Sequence, residues 1–323
     1  MLQSRSPARS ARAGGAALRK GTVAATALVI ALASAAVYGK TARFEFLPSW
    51  DDGETVLQNP DVRDLSPGGV LRTFSRTTAA LYQPLTTLTF AVDHALWGLS
   101  PAAFHLGNVV LHGAAALVLF LLVRAIAGNV LVAATAAALF LVHPVNVENV
   151  AWVTERKTIL SALLFFAALL VYVRARERGS RVPWAGAAVL GAAAMLAKPA
   201  AVVLPLVIAA YERWQRPDPR VRLALPLLPI SVAASVPTFW AHLAQSIPAE
   251  SIAPGTLLGT VYPTTVVIWW KYLRLLAWPA GLSAFHDTTL HGWLDAPVIA
   301  AVVAWVAAVA LVWVRGSREV RFW

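Results

Sequence analysis

Cysteine is absent from this chain of 323 residues, which removes any disulfide framework and any thiolate metal site and leaves the redox compartment open. Charge is scarce too: 27 basic and 16 acidic residues are too few to clothe a soluble fold of this size. A soluble enzyme, a nucleic-acid-binding protein and a secreted disulfide scaffold are all argued against. What is abundant is apolar, with 58% hydrophobic residues and a mean hydropathy of +0.64. An all-α, polytopic membrane protein follows, because a bilayer core roughly 30 Å thick takes about 20 apolar residues in a helix and the sequence holds many uncharged runs near that length.

The net charge of +11 is informative through its distribution. Arg5, Arg9, Arg12, Arg19 and Lys20 precede the first apolar stretch, and Ala33-Ser34-Ala35 resembles a small-residue cleavage site. That stretch exceeds the usual signal-peptide core, so it reads as an anchor leaving a cytoplasmic N-terminus. Placing the later Arg clusters around 124, 174–181, 213–222 and 315–321 inside puts 17 of 27 cations in the cytoplasm and 12 of 16 acids outside. The threading is then a basic tail, 1–20; a membrane domain, 21–314, with an outer loop at 40–103; and a basic tail, 315–323. Eight spans satisfy it: 21–39, 104–123, 127–143, 158–173, 183–197, 198–212, 223–241 and 296–314. The stretches 82–97 and 269–278 are expected as helices in the outer interface, and the count becomes nine or ten if they cross. Pro199, Pro205, Pro226, Pro229 and Pro237 should break or kink their helices.

Three outer segments could carry chemistry. In PSWDDGETVLQNP, Asp51 and Asp52 repel, so one should hold its proton longer or need a cation or hydroxyl partner, as a general base would; an Asp-Asp-Gly turn is the plain alternative. In LVHPVNVENVAWVTERKTIL, His143, Glu148, Glu155, Arg156 and Lys157 gather beside apolar surface. In a helix Glu148, Trp152 and Glu155 would share a face, and the cations could hold a phosphate or simply snorkel. In WWKYLRLLAWPAGLSAFHD, Lys271 and Arg274 lie among aromatics, as a substrate clamp or a lipid anchor. His105 and His112 are intramembrane polar residues and hence functional candidates, but two histidines without a third ligand make no metal site.

Taken in order, WDDGETVLQNPDV, LYQPLTTLTFAVDHALWGLSPAAFHLGNVVLHG, FLVHPVNVENVAWVTERKTILSALLF and KYLRLLAWPAGLSAFHD resemble the membrane region of the TMTC family. These are the transmembrane and TPR repeat-containing O-mannosyltransferases and their bacterial relatives, within the GT-C glycosyltransferase superfamily; the likeness covers about 40–180 and 255–290. It implies a GT-C-like fold that moves a sugar, mannose in the family, from a polyprenyl-phosphate donor to a protein or glycan acceptor at the outer face, with no obligatory cofactor. It implies Asp51 or Asp52 as the base, Arg156, Lys157, Lys271 and Arg274 on the lipid phosphate, and His143, Glu148, Glu155, His105 and Tyr82 in the substrate pocket. The Ala- and Arg-rich composition leans towards a high-GC bacterium, hence an inner membrane with the site on the periplasmic side. Gln83 stands where the family often has Arg, and the chain stops at Trp323 without a TPR array. The acceptor is then expected to be recruited by another protein or to be a lipid or glycan. A small-solute or lipid transporter and an inactive scaffold are the competing readings.

Overall fold

The computed structural model describes residues 20–79, 81–178, 182–215, 236, 256–283 and 289–320. Two compact units divide the chain, Met1–Glu212 with Pro219–Gln245 and Arg213–Asp218 with Ser246–Trp323, and each is described by itself. The described residues are overwhelmingly helical and form no strand, only an isolated bridge between Thr78 and Leu81. The all-α membrane architecture read from the sequence holds.

The first unit begins with α1 (Lys20–Tyr38) and continues through three short turns into α2 (Pro67–Ser75), α3 (Pro84–Trp97) and α4 (Pro101–Ala127). Then come α5 (Val130–Val142), the short α6 (Val147–Ala151), α7 (Arg156–Arg178), α8 (Val182–Ala197) and α9 (Leu204–Gln215). Local chemistry sets the breaks. Gly128, at φ +69°, ends α4 in the left-handed conformation that glycine adopts without strain, and Asn129 caps α5 by accepting from Leu131 N and Val132 N at 2.8 and 3.2 Å. His143 and Lys198 each precede a proline, whose ring disfavours helical backbone in the residue before it. Both are extended, and they stop α5 and α8. The chain bends by 49° between Val130–Val142 and Pro144–Ala151.

The long helix α4 packs against α1, α5 and α7, and α7 in turn packs on α8. Asn108 near the start of α4 meets Arg156 at the start of α7, so these two run parallel; Ser161 Oγ donates to Ala194 O at 2.9 Å, so α7 and α8 run antiparallel. One end of the bundle therefore gathers residues 38–60, 84–108, 141–161 and 194–204. The opposite end gathers Arg124, Arg174 and Arg176. There Arg176 grips buried Glu212 of α9 through two bonds of 2.6 and 2.7 Å, and Tyr172 donates to the same carboxylate at 2.9 Å. The core between the ends is built by Leu122, Ala168, Leu169, Tyr172, Ala187, Leu204 and Ile208. Leu28, Val29, Leu32, Val110, Val189 and Leu206 face outward, as lipid-facing side chains would.

In the second unit α10 (Tyr262–Ala277) packs on α11 (Ala296–Val320). Trp270 donates to Ala301 O at 3.0 Å and Trp305 sits against Trp269 and Trp270.

The expected count of eight spans is not reached among the described residues. Gly21–Arg43, Pro101–Ala127 and Val153–Glu177 are long and apolar enough to cross a bilayer, and the bent pair makes a fourth if it acts as one span. Ala185–Ala197, Pro199–Glu212 and Ala296–Leu311 are apolar but shorter, because the proline after Lys198 cuts one long hydrophobic run into two helices. The expected span 223–241 lies outside the described residues, Val236 excepted. The stretch 82–97 is helical from Pro84, and 269–278 falls almost wholly within α10.

Candidate functional site

The acidic pair is split by its own backbone. Both Asp51 and Asp52 lie in the turn after Pro48-Ser49-Trp50, but their side chains go separate ways. Asp52 is buried: its Oδ2 accepts from Leu47 N at 2.9 Å and its Oδ1 from Thr154 N at 3.3 Å. It thus ties the segment that follows α1 to the turn that starts α7. Asp51 keeps a half-exposed carboxylate, with Oδ2 3.7 Å from Lys157 Nζ. The mutual repulsion expected of adjacent carboxylates is relieved by this divergence. Gly53 permits the turn, since a Cβ there would lie 2.2 Å from the Pro48 carbonyl oxygen.

Around Lys157 a charge cluster forms. Its Nζ lies 2.8 Å from Glu155 Oε1 and 5.7 Å from the centre of the Trp152 ring, which meets Trp50 edge-on. Glu155 Oε2 accepts from the Thr158 hydroxyl at 2.5 Å and lies 3.6 Å from Lys198 Nζ, while Lys198 donates to Thr158 Oγ1 at 2.7 Å. Lys198 comes from the far end of α8 and was not singled out in the sequence. The signal was present: it is the one charge between 182 and 211, immediately before Pro199.

Trp152 also walls a hollow of about 410 Å³, lined further by Arg43, Phe44, Glu45, Phe46, Leu47, Asp52, His105 and Ala151. His105 is buried against the edge of the Phe44 ring, whereas His112 is bonded to Leu141 O at 3.1 Å between Tyr38 and Phe140. The two histidines therefore do different things, and no cluster of metal-ligating side chains occurs among the described residues.

Arg156 faces away from this cluster. Its Nε donates to Asn108 Oδ1 and its Nη2 to Phe104 O, each at 2.7 Å, its Nη1 pairs with Asp93 at 2.5 Å, and its plane lies 4.6 Å from the Phe90 ring centre. Those bonds lock α3, α4 and α7 together at one end of the bundle, and they occupy the fork that a phosphate would need. Glu148 and Glu155 do not share a helix face, because the backbone turns extended at Trp152 between them. His143 is half-exposed and accepts from Val145 N at 3.2 Å; Glu148 is exposed on α6. Tyr82 is buried and donates to Phe74 O at 3.0 Å, and burial pushes its phenol pKa up. Lys271 and Arg274 are exposed on α10 of the second unit. His286 and Asp287 lie outside the described residues.

A helical membrane protein with a carboxylate and lysine cluster at one end of the bundle is thus the class defined by fold and site. Among known proteins, the chain is 35% identical over 169 residues to the protein O-mannosyl-transferase TMTC1 of Homo sapiens, covering 48% of this chain and 19% of that protein. It is 29% identical over 233 residues to the protein O-mannosyl-transferase TMTC2 of Mus musculus, covering 66% and 28%, and 31% identical over 177 residues to TMTC3 of Homo sapiens, covering 50% and 19%. The chain is TMTC-like over about half its length and spans between a fifth and three tenths of these relatives' length. No family model matches it, and no solved structure matches it.

Proposed function

We propose that this chain is a membrane glycosyltransferase of GT-C type that moves a sugar, mannose by analogy with its relatives' names, from a polyprenyl-phosphate donor to a protein hydroxyl at the outer membrane face. The observation that carries the reading is Asp51: a half-exposed carboxylate 3.7 Å from a lysine, next in the chain to Asp52, which lines the hollow of about 410 Å³, at the bundle end opposite the arginine cluster. Asp51 takes the proton from the acceptor hydroxyl as its oxygen bonds to the anomeric carbon. The bond from that carbon to the phosphate oxygen breaks, and its electron pair leaves on polyprenyl phosphate, which Lys157 stabilises. Asp52, with its oxygens on two backbone amides, positions the loop.

His143 and Glu148 border the same end of the bundle and serve the acceptor side in this reading. His105 lines the hollow, whereas Tyr82, bonded to Phe74 O, is a candidate pocket residue carried by the resemblance alone. Lys271 and Arg274 remain candidate contacts for the lipid phosphate, carried by the resemblance alone. An inner, periplasm-facing location suits the arginine-rich opposite end as the cytoplasmic side. A transporter is disfavoured because the charged side chains of the described first-unit helices fall near helix ends, leaving the stretch from Thr158 to Val173 uncharged.

The test is sugar transfer from polyprenyl-phosphate mannose by the purified chain and by Asp51→Asn and Asp52→Asn variants. Asp51→Asn should lower kcat by about 10²-fold or more, the typical worth of a general base, with little change in donor KM. Undiminished transfer by both variants would remove the assignment.

A further inference from the structure

The charge cluster holds a second ammonium group that the reading above does not use. Lys198 reaches it from the end of α8, forty residues beyond Thr158 in sequence. Its position depends on the Lys198-Pro199 break, which turns the backbone extended at Lys198 and carries the chain out of α8. Thr86 Oγ1 of α3 donates to Ala197 O at 3.2 Å, so the residue just before it is pinned to a second helix. Among the described residues this lysine, alone in an apolar run, meets Thr158 Oγ1 at 2.7 Å and Glu155 Oε2 at 3.6 Å. An ammonium has three donors, and 36% of this side chain is exposed.

Lys157 and Lys198 stand on opposite oxygens of the same carboxylate, Oε1 and Oε2 of Glu155. That carboxylate is itself fixed by the Thr158 hydroxyl at 2.5 Å. Two lysines brought together without a counter-ion would repel; Glu155 offsets that repulsion and gathers both ammonium groups around one carboxylate, so that an anion arriving at this end of the bundle meets two cations.

We propose that Lys198 is the second phosphate-binding residue of the site, that Lys157 and Lys198 form a two-ammonium clamp for the donor's phosphate, and that Glu155 is the positioning residue that holds the clamp open. This rests on the glycosyltransferase reading. It names the ligand chemistry as a phosphate ester and moves the second cationic contact from Arg156, whose donors are occupied, to Lys198.

The experiment measures binding of decaprenyl monophosphate to the purified full chain in detergent, with inorganic phosphate as a second probe and thermal unfolding as a check on folding. Lys198→Met should weaken decaprenyl monophosphate binding about tenfold, a loss of one charge-assisted contact. Lys198→Arg should retain most of the affinity, and Lys40→Met, which removes an exposed cation next to the first outer loop, should leave it unchanged. Equal affinity in wild type and Lys198→Met, with unaltered unfolding of both, overturns the clamp while leaving the glycosyltransferase reading intact. An equal loss in Lys40→Met also overturns it, because the effect would then be diffuse charge. Failure of the wild-type chain to bind the polyprenyl probe at all would sink the parent reading with it. Binding of inorganic phosphate with the same Lys198 dependence supports the clamp as recognising the phosphate rather than the lipid chain.

Discussion

Replacing Arg156 with Met would strand Asp93 without its partner and leave Asn108 Oδ1 and the Phe104 carbonyl short of a donor. Breaking a buried pair from one side costs roughly 3–5 kcal/mol, so thermal unfolding of Arg156→Met should drop sharply, and Arg156→Lys should not restore it because a point charge cannot span three partners. In the sequence Arg156 and Lys157 look interchangeable. About 100° of helix rotation separates successive residues, and that rotation turns one into the α3–α4–α7 seam and the other towards Asp51. Residue identity was therefore legible but the division of labour was not. A milder test concerns Asp64, whose pKa is lowered to about 2, first by the Ser66 hydroxyl and next by Arg72, to which it also pairs. Its folded value lies below the usual carboxylate value of about 3.9, so the stabilisation is present above that value and is lost as pH falls towards 2. Asp64→Asn should flatten the stability profile across that window, as followed by unfolding at graded pH.

At the scale of elements, two glycines set how closely pieces approach. A Cβ on Gly107 of α4 would meet Arg156 Nη2 at 2.7 Å and Asp93 Oδ2 at 3.1 Å, and one on Gly53 would meet backbone. Gly107→Ala should destabilise the first unit by about 1–3 kcal/mol in unfolding assays, the usual scale for overpacking. Gly53→Ala should instead lower sugar transfer by displacing the turn that carries Asp51, with a smaller effect on unfolding. Helices α1, α3, α4 and α7 were readable from apolar run length and from Pro at the first helical position. The ends of α5 and α8 fall where the expected spans 127–143 and 183–197 end, at His143-Pro144 and Lys198-Pro199; the 49° bend after α5 was less legible, because run length does not show direction.

For the whole molecule, the separation of charge between the two bundle ends is a topological statement that can be measured directly. The chain lacks cysteine, so a single introduced thiol is the only one present. Gln58→Cys, exposed between α1 and α2, should react with a membrane-impermeant maleimide added to intact cells if the proposed threading holds, whereas Glu177→Cys, exposed near the arginine end of α7, should react only after permeabilisation. The reverse pattern would invert the threading. Overall charge bias was visible in the sequence, since cations cluster in short loops. The meeting of residues 51, 157 and 198 was not, because it depends on parallel and antiparallel helix pairing over more than a hundred residues.

Asp52 has a consequence of its own. Its carboxylate is gripped by the amides of Leu47 and Thr154, which are permanent dipoles rather than mobile ions. The separation between Asp51 and Lys157 is accordingly dictated by main-chain scaffolding, not by their mutual pull. Concentrated electrolyte should hence loosen the hold on an incoming anion while leaving the unliganded architecture intact, a divergence between Kd and melting temperature that a bridge sustained by surface ions could not produce.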